Sequence, residues 1–267
     1  MGSAKKHLGQ HFLHDPRILR RIAEAVQCGP GDTVLEIGPG RGALTAELLA
    51  RGARVSAIEK DRDLLPHLVE RFPELRLASG DALDLDWRQV SGVGDGPLIV
   101  AGNIPYNITS PLIEKALTPP RPVRIVFLVQ KEVADRLAAT AGTKTYGGLT
   151  VGVQAVARVE RLMTVAAGAF VPAPKVDSAV IRLTPREQPL IPSHQAGSFR
   201  RLVTALFSAR RKQLGRGVRQ VTGWEADRVI ATLQSAGFDP RQRPEVLTPE
   251  QFVVLHRVLV DGGEALG

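Results

Sequence analysis

Between residue 33 and about residue 130, short β-branched runs alternate with stretches of helical periodicity, and this alternation restricts the fold more than any other feature of the chain. Residues 34–38, 54–59, 75–80, 98–103 and 124–130 read as strands. Residues 43–50, 61–72 and 109–117 place apolar side chains three and four apart and read as helices. Strands separated by helices form βαβ units, hence a parallel sheet covered on both faces. An α/β fold of Rossmann-like type is predicted. Two later runs, 161–165 and 178–183, the second alternating through Ala179, Ile181 and Leu183, predict an antiparallel hairpin at the sheet edge. Three prolines between 185 and 192 mark a linker. Beyond it, 199–207, 225–236 and 249–260 carry helical spacing, and Thr248-Pro249-Glu250 has the form of an N-cap followed by proline at the first helical position. The 267 residues are thus expected to make two domains, 1–185 and a small all-helical 186–267.

Composition narrows the function classes. No run of eighteen apolar residues exists, so no membrane helix is expected. Basic residues near Met1 are followed by no apolar stretch, which argues against a secretory signal and for a cytoplasmic address. Cys28 is the only cysteine, excluding an internal disulfide and a multi-cysteine metal site, and no metal is expected. Lys and Arg number 35 against 27 Asp and Glu. The excess gathers at Arg200, Arg201, Arg210, Arg211, Lys212, Arg216 and Arg219, a stretch without an acid. Such a run suits a polyanion, because each neutralised phosphate releases counterions. It equally suits a solvated helix face.

The first strand runs into Gly38-Pro39-Gly40-Arg41-Gly42. A dinucleotide fingerprint needs G-x-G-x-x-G, whereas the glycines here fall at 38, 40 and 42, and Pro39 removes a donor that a pyrophosphate would use. The turn fits a nucleoside ligand without a diphosphate, such as S-adenosylmethionine, better than a nicotinamide dinucleotide. Glu59 ends the second strand, 21 residues after Gly38, where such folds place the acceptor for ribose hydroxyls. Asp81, after the third strand, is placed to accept from the cofactor's adenine amine. Each could singly be a strand-terminal turn residue; together they mark one edge of the sheet.

After the fourth strand comes Asn103-Ile104-Pro105-Tyr106. The exocyclic amine of adenine is a poor nucleophile because its lone pair is delocalised into the ring. Two acceptors aimed at its hydrogens, the Asn103 side-chain oxygen and the Ile104 carbonyl, would draw the nitrogen toward tetrahedral geometry. Pro105 would fix the turn, and Tyr106 would stack on the flipped base. In isolation the same tetrapeptide reads as an ordinary Asn-Pro turn with a surface tyrosine.

These residues resemble the ribosomal RNA adenine dimethyltransferase family over nearly the whole chain. Gly9-Gln10-His11-Phe12-Leu13 is similar to the family segment that folds over the cofactor, although asparagine is also common at the place of His11. Glu36-Ile37-Gly38-Pro39-Gly40, Glu59-Lys60-Asp61, Gly80-Asp81-Ala82 and Asn103-Ile104-Pro105-Tyr106 follow in family order. The resemblance implies a class I methyltransferase sheet that binds S-adenosylmethionine through Gln10, His11, Leu13, Gly38, Gly40, Glu59, Lys60, Asp81, Ala82 and Asn103. It implies catalysis by Asn103, Ile104, Pro105 and Tyr106, with Phe170 of Phe170-Val171-Pro172 clamping the base against Tyr106; alone, that phenylalanine reads as a core plug. The implied activity is dimethylation of two adjacent adenosines near the end of small-subunit rRNA during ribosome biogenesis. The implied partner is that rRNA or a pre-small-subunit particle, docked by 186–267 through Arg200, Arg201, Arg210, Arg211 and Lys212. Phe207-Ser208-Ala209-Arg210-Arg211-Lys212 also separates this group from relatives acting on large-subunit rRNA, which usually lack the Arg-Arg-Lys element. One departure is Gly215-Arg216-Gly217, where the family often has asparagines. Relatives that assist assembly without methyl transfer are a second class, against which the intact Glu59, Asp81 and Asn103–Tyr106 set argues. Nothing demands more than a monomer.

Overall fold

The computed structural model describes residue 5, residues 8–209 and residues 212–261. It divides into two compact units: residues 1–134 with 159–185, and residues 135–158 with 186–267.

In the first unit, a seven-stranded sheet and a two-stranded one are described. The strands are β1 (Phe12–Leu13), β2 (Thr33–Ile37), β3 (Arg54–Glu59), β4 (Arg76–Ser79), β5 (Leu98–Asn103), β6 (Arg124–Gln130), β7 (Ala157–Val165), β8 (Phe170–Val171) and β9 (Ser178–Pro185). The large sheet has the order β4-β3-β2-β5-β6-β9-β7. Strands β2 to β6 pair in parallel, and β9 turns antiparallel against β6. All five residues of β2 are buried, as a central strand covered on both faces must be. The chain winds outward from β2 through β3 to β4, then returns to β5 and β6 on the other side of β2. The carboxyl ends of β2 and β5 therefore flank the switch point where such sheets bind ligands. Ile37 stands opposite Gly102 there. A β-carbon on residue 102 would lie 2.4 Å from the Ile37 carbonyl oxygen, so only glycine lets the two strands run this close.

Helix α1 (Pro16–Val26) lies ahead of the alternating pattern, and Asp15-Pro16 starts it: the Asp15 carboxylate accepts from Arg17 N and Ile18 N. Its buried face, Leu19, Ile22, Ala23 and Val26, packs into the core shared with the sheet. Helix α2 (Ala43–Leu49) follows the glycine turn, in which Gly38, Gly40 and Gly42 all have positive φ (68°, 59° and 75°). At Gly42 a β-carbon would also sit 2.3 Å from the Phe72 ring. Alternate glycines are thus the backbone requirement of the turn itself.

The second unit is helical. Residues 135–158, which sequence contiguity assigns to the first domain, group with the C-terminal helices. The cause is hydrogen bonding within that unit: Gln154 Nε2 donates to the carbonyls of Leu137 and Ala139, and the carbonyls of Ala155 and Val156 accept from Leu190 N and Arg186 N. Tyr146 is fully buried, its hydroxyl donating to the Leu247 carbonyl at 2.7 Å and its ring edge-on to Phe207, which stacks on Phe252. The stretch Leu214–Thr222 is a helix that the sequence did not announce. Gly217 and Gly215 explain the departure noted above. A β-carbon at 217 would meet Leu206 at 2.7 Å, and one at 215 would lie 3.2 Å from the Pro240 carbonyl oxygen.

Glu36 is the one acid inside β2. It is 1% exposed and accepts a 2.6 Å hydrogen bond from the Thr45 hydroxyl of α2. Burial pushes its carboxyl from the usual 4.5 up to about 7, against that hydrogen bond and with help from the charge of Glu59. Between those values the folded chain holds a proton that the unfolded chain has released. This contribution is complete below pH 4.5 and is lost as pH rises through about 7. The loss should amount to roughly 3 kcal/mol. Urea unfolding of wild type and Glu36→Gln from pH 5 to 8 should show a decline in the former that is largely absent from the latter; parallel curves would refute the assignment.

Candidate active site

A cavity of about 510 Å³ opens at the carboxyl ends of β2, β3, β4 and β5. Its wall includes Gln10, His11, Leu13, Gly38, Gly40, Glu59, Lys60, Asp81, Ala82, Asn103, Ile104, Pro105 and Tyr106, which the sequence had singled out from five separate segments. Glu36, Gly102, Arg41 and His67 line it as well and were not foreseen. Gly102 had a legible signal: a glycine in an apolar strand, one residue before the asparagine.

At one end stands Glu59, 6% exposed. Its Oε2 accepts from Gly40 N at 3.0 Å and its Oε1 from Asp61 N at 2.8 Å. Burial raises its pKa, the two backbone bonds opposing the shift. No cation is paired with it among the described residues, and each oxygen keeps capacity for a further donor. The glycines of the turn, by contrast, have spent their donors. Gly38 N donates to the Ile58 carbonyl, Gly40 N to Glu59, Gly42 N to the Pro39 carbonyl, and Pro39 has none. A diphosphate would find no amide of these four residues to hold it. Asp81 accepts from Lys60 Nζ at 2.7 Å and from Leu83 N at 2.9 Å, and the Lys60 bond foremost holds its carboxyl below the usual range. Lys60 reaches the cavity wall as the partner of Asp81.

At the other end, Asn103 terminates β5. Its Nδ2 donates to the His11 carbonyl at 2.8 Å, and its Oδ1 accepts nothing from the described residues. Ile104 N is tied to the Leu128 carbonyl at 3.0 Å, whereas the Ile104 carbonyl likewise accepts nothing from them. The Pro105 carbonyl accepts from Ile108 N and the Thr109 hydroxyl, which fixes the turn. Tyr106 is half-buried, 2.8 Å from Ser178 Oγ through its hydroxyl, and burial pushes its pKa up, so the ring stays neutral. The His11 ring stacks on it at 5.6 Å and 25°.

Phe170, expected to clamp a base against Tyr106, is not brought to the cavity with the other residues. Phe170 is 3% exposed, absent from the cavity wall and part of the hydrophobic core. It stands opposite Leu13 in the β1–β8 pair, where it supports the strands from the core side as a plug. Its neighbour Val171, 53% exposed, reaches the cavity instead. Of the basic set, Arg200 and Arg201 are exposed on the helix Ala196–Ser208, and Lys212 is exposed just past its end. Arg210 and Arg211 lie outside the described residues. No group of three His, Cys, Asp or Glu able to hold a metal ion occurs among the described residues. None of the described helices is long and apolar enough to cross a membrane.

Comparison with known proteins bears on the same cavity. The model of the family described as ribosomal RNA adenine dimethylase matches residues 1–251. The ribosomal RNA small subunit methyltransferase A of Myxococcus xanthus is 44% identical over 96% of this chain and 91% of that protein. The protein of the same name from Pseudomonas putida is 42% identical over 98% of this chain and 97% of that protein. Among solved structures, a dimethyladenosine transferase from Plasmodium falciparum matches with TM-score 0.84 and 26% identity, covering 96% of this chain and 100% of that one. The 23S rRNA methyltransferase ErmE matches with TM-score 0.72 and 30% identity over 93% and 99%. The chain belongs to the ribosomal RNA adenine dimethylase family.

Proposed function

We infer that the protein is an S-adenosylmethionine-dependent rRNA adenine N6-dimethyltransferase acting on small-subunit rRNA. The observation that carries this reading is the pair of unused acceptors, Asn103 Oδ1 and the Ile104 carbonyl, beside the Tyr106 ring in the cavity that also holds Glu59.

The residues fit the donor. The volume lies inside the range of roughly 300–1,000 Å³ usual for small-molecule sites. Glu59 offers buried, cation-free acceptor oxygens suited to ribose hydroxyls, and the glycines of the turn leave no free amide for a pyrophosphate. Gln10, His11, Leu13, Gly38, Gly40, Asp81, Ala82 and Asn103 would complete the hold, with Lys60 positioning Asp81. When bound, S-adenosylmethionine supplies an electrophilic methyl on a sulfonium, a good leaving group.

The chain's own part is orientation. Asn103 Oδ1 and the Ile104 carbonyl accept the two amine hydrogens and so localise the nitrogen lone pair. Tyr106 stacks on the extruded base, a contact worth about 1–3 kcal/mol that offsets unstacking from the RNA. Pro105 leaves the Ile104 carbonyl little freedom, so the geometry is preformed before the base arrives. After one methylation a single amine hydrogen remains, and one acceptor suffices for the second. The targets are two adjacent adenosines near the end of the rRNA, presented in a pre-small-subunit particle. Residues 1–185 carry the chemistry, and 186–267, with Arg200, Arg201, Arg210, Arg211 and Lys212, dock the rRNA. The protein acts as a monomer in the cytoplasm.

Incubation with labelled S-adenosylmethionine and undermethylated small subunits should yield dimethyladenosine; label confined to monomethyladenosine, or found only in large-subunit rRNA, would overturn the reading. Tyr106→Ala should lower methylation about 100-fold while S-adenosylhomocysteine binding changes less than about threefold by calorimetry, because its partner is the target base. Joint neutralisation of Arg210, Arg211 and Lys212 should reduce the slope of log K against log salt for subunit binding by about 2 to 3. An unchanged slope would return the run to a plain solvated surface.

A further inference from the structure

Asp61 lies two residues past Glu59 and is 3% exposed. Its Oδ1 takes the Lys5 ammonium at 2.5 Å and its Oδ2 the Gln10 side-chain amide at 2.7 Å. Gln10 Oε1 in turn accepts from Lys5 N at 2.7 Å, which closes a ring of hydrogen bonds on one buried carboxylate. The backbone N–H of Asp61 donates to Glu59. The adjacent residue, His11, faces the other end of the cavity: its carbonyl accepts from Asn103 Nδ2, its ring stacks on Tyr106, and its Nδ1 lies 2.8 Å from the Pro172 carbonyl.

An asparagine amide can turn either its oxygen or its NH2 group toward a ligand, and the two orientations have nearly the same shape. Only hydrogen-bond partners choose between them. Here the sole partner of the Asn103 side chain among the described residues is the His11 carbonyl. That acceptor draws Nδ2 to itself and turns Oδ1 outward. Were residues 10 and 11 to shift, the amide could rotate and present a donor to the adenine amine, which is itself a donor.

We propose that Asp61 is a positioning residue for methyl transfer: by holding Lys5 and Gln10 it fixes the His11 carbonyl that orients the Asn103 amide. The proposal rests on the reading of the cavity given above and deepens it. It assigns Asp61 a role at a distance from the reacting atoms, through Gln10 and the peptide that joins it to His11. It also separates two properties of the enzyme. RNA docking does not involve this contact, so subunit affinity should be indifferent to it, whereas turnover should not.

Lys5→Met leaves the buried residues untouched, and Asp61→Asn keeps the shape of the side chain. Each should lower kcat about tenfold, with KM for undermethylated small subunits unchanged within about twofold. Because the Lys5–Asp61 contact is common to both, although Lys5 also pairs with Asp63 and Asp61 also holds Gln10, the double variant should lose less than the product of the two singles. Amides of Phe12 and Leu13 should exchange hydrogen faster in both variants, with or without S-adenosylhomocysteine. Lys5→Met leaves a buried carboxylate with one cation fewer and should lower the melting temperature, so turnover of both variants is compared well below it. If Asp61→Asn does not fold, Gln10→Met takes its place in the cycle. Turnover within twofold of wild type in the single variants, or losses that multiply in the double, would overturn the proposal while leaving the cavity reading intact. Failure of the wild type to bind S-adenosylhomocysteine would overturn both.

Discussion

The close approach of β5 to β2 is the constraint on which the site depends. With the Ile37 carbonyl 2.4 Å from where a β-carbon of residue 102 would stand, any side chain at that position would push the two strands apart. The same approach puts Gly38, the first residue of the turn, beside the backbone of Asn103: a β-carbon at 38 would lie 3.8 Å from the Asn103 carbonyl. The glycine loop and the tetrapeptide, proposed to receive the donor and the base, are thereby neighbours. Two strands that follow each other only after some 60 residues of chain share one cleft because the order of the sheet reverses between them.

Around that cleft the charges are arranged by burial more than by pairing. Glu36 and Glu59 are buried with backbone or hydroxyl donors and, among the described residues, no cation. Burial raises both, and the charge of Glu59 adds to the cost at Glu36. Such carboxylates destabilise the unliganded protein and are relieved by a ligand that brings hydroxyls or positive charge, the usual trade between stability and function at a binding site. Asp81, nearer the surface, is instead stabilised by Lys60 and stays ionised. One cavity therefore holds acceptors of quite different basicity.

Much of this was legible from residues alone. The five parallel strands fall within a residue or two of the expected runs, since β-branched apolar stretches bounded by glycine and charge have few other readings. The thirteen cavity residues from Gln10 to Tyr106 that the motifs named also meet in space. Phe170 escaped the same logic. Beside two prolines it reads alone as a core plug, and nothing local shows that Leu13, more than 150 residues earlier, is the residue it pairs with. Short elements escaped too: α1 lies ahead of the alternating pattern, and Leu214–Thr222 contains two glycines that weaken its helical signal while permitting its packing.

By itself the sequence determined the class of fold, the side of the sheet where a ligand must bind and the chemistry of the reacting groups, because these follow from local periodicity and from residue types at strand ends. Tertiary structure decided which atoms remain available. That Asn103 offers its oxygen follows from a carbonyl 92 residues away, and that Phe170 does not offer its ring follows from a strand pair as distant. It also decided that residues 135–158 group with the C-terminal helices, through bonds from Gln154, Arg186 and Leu190. Availability depends on partners brought together by packing, and no local pattern of residues encodes what a distant segment will cover.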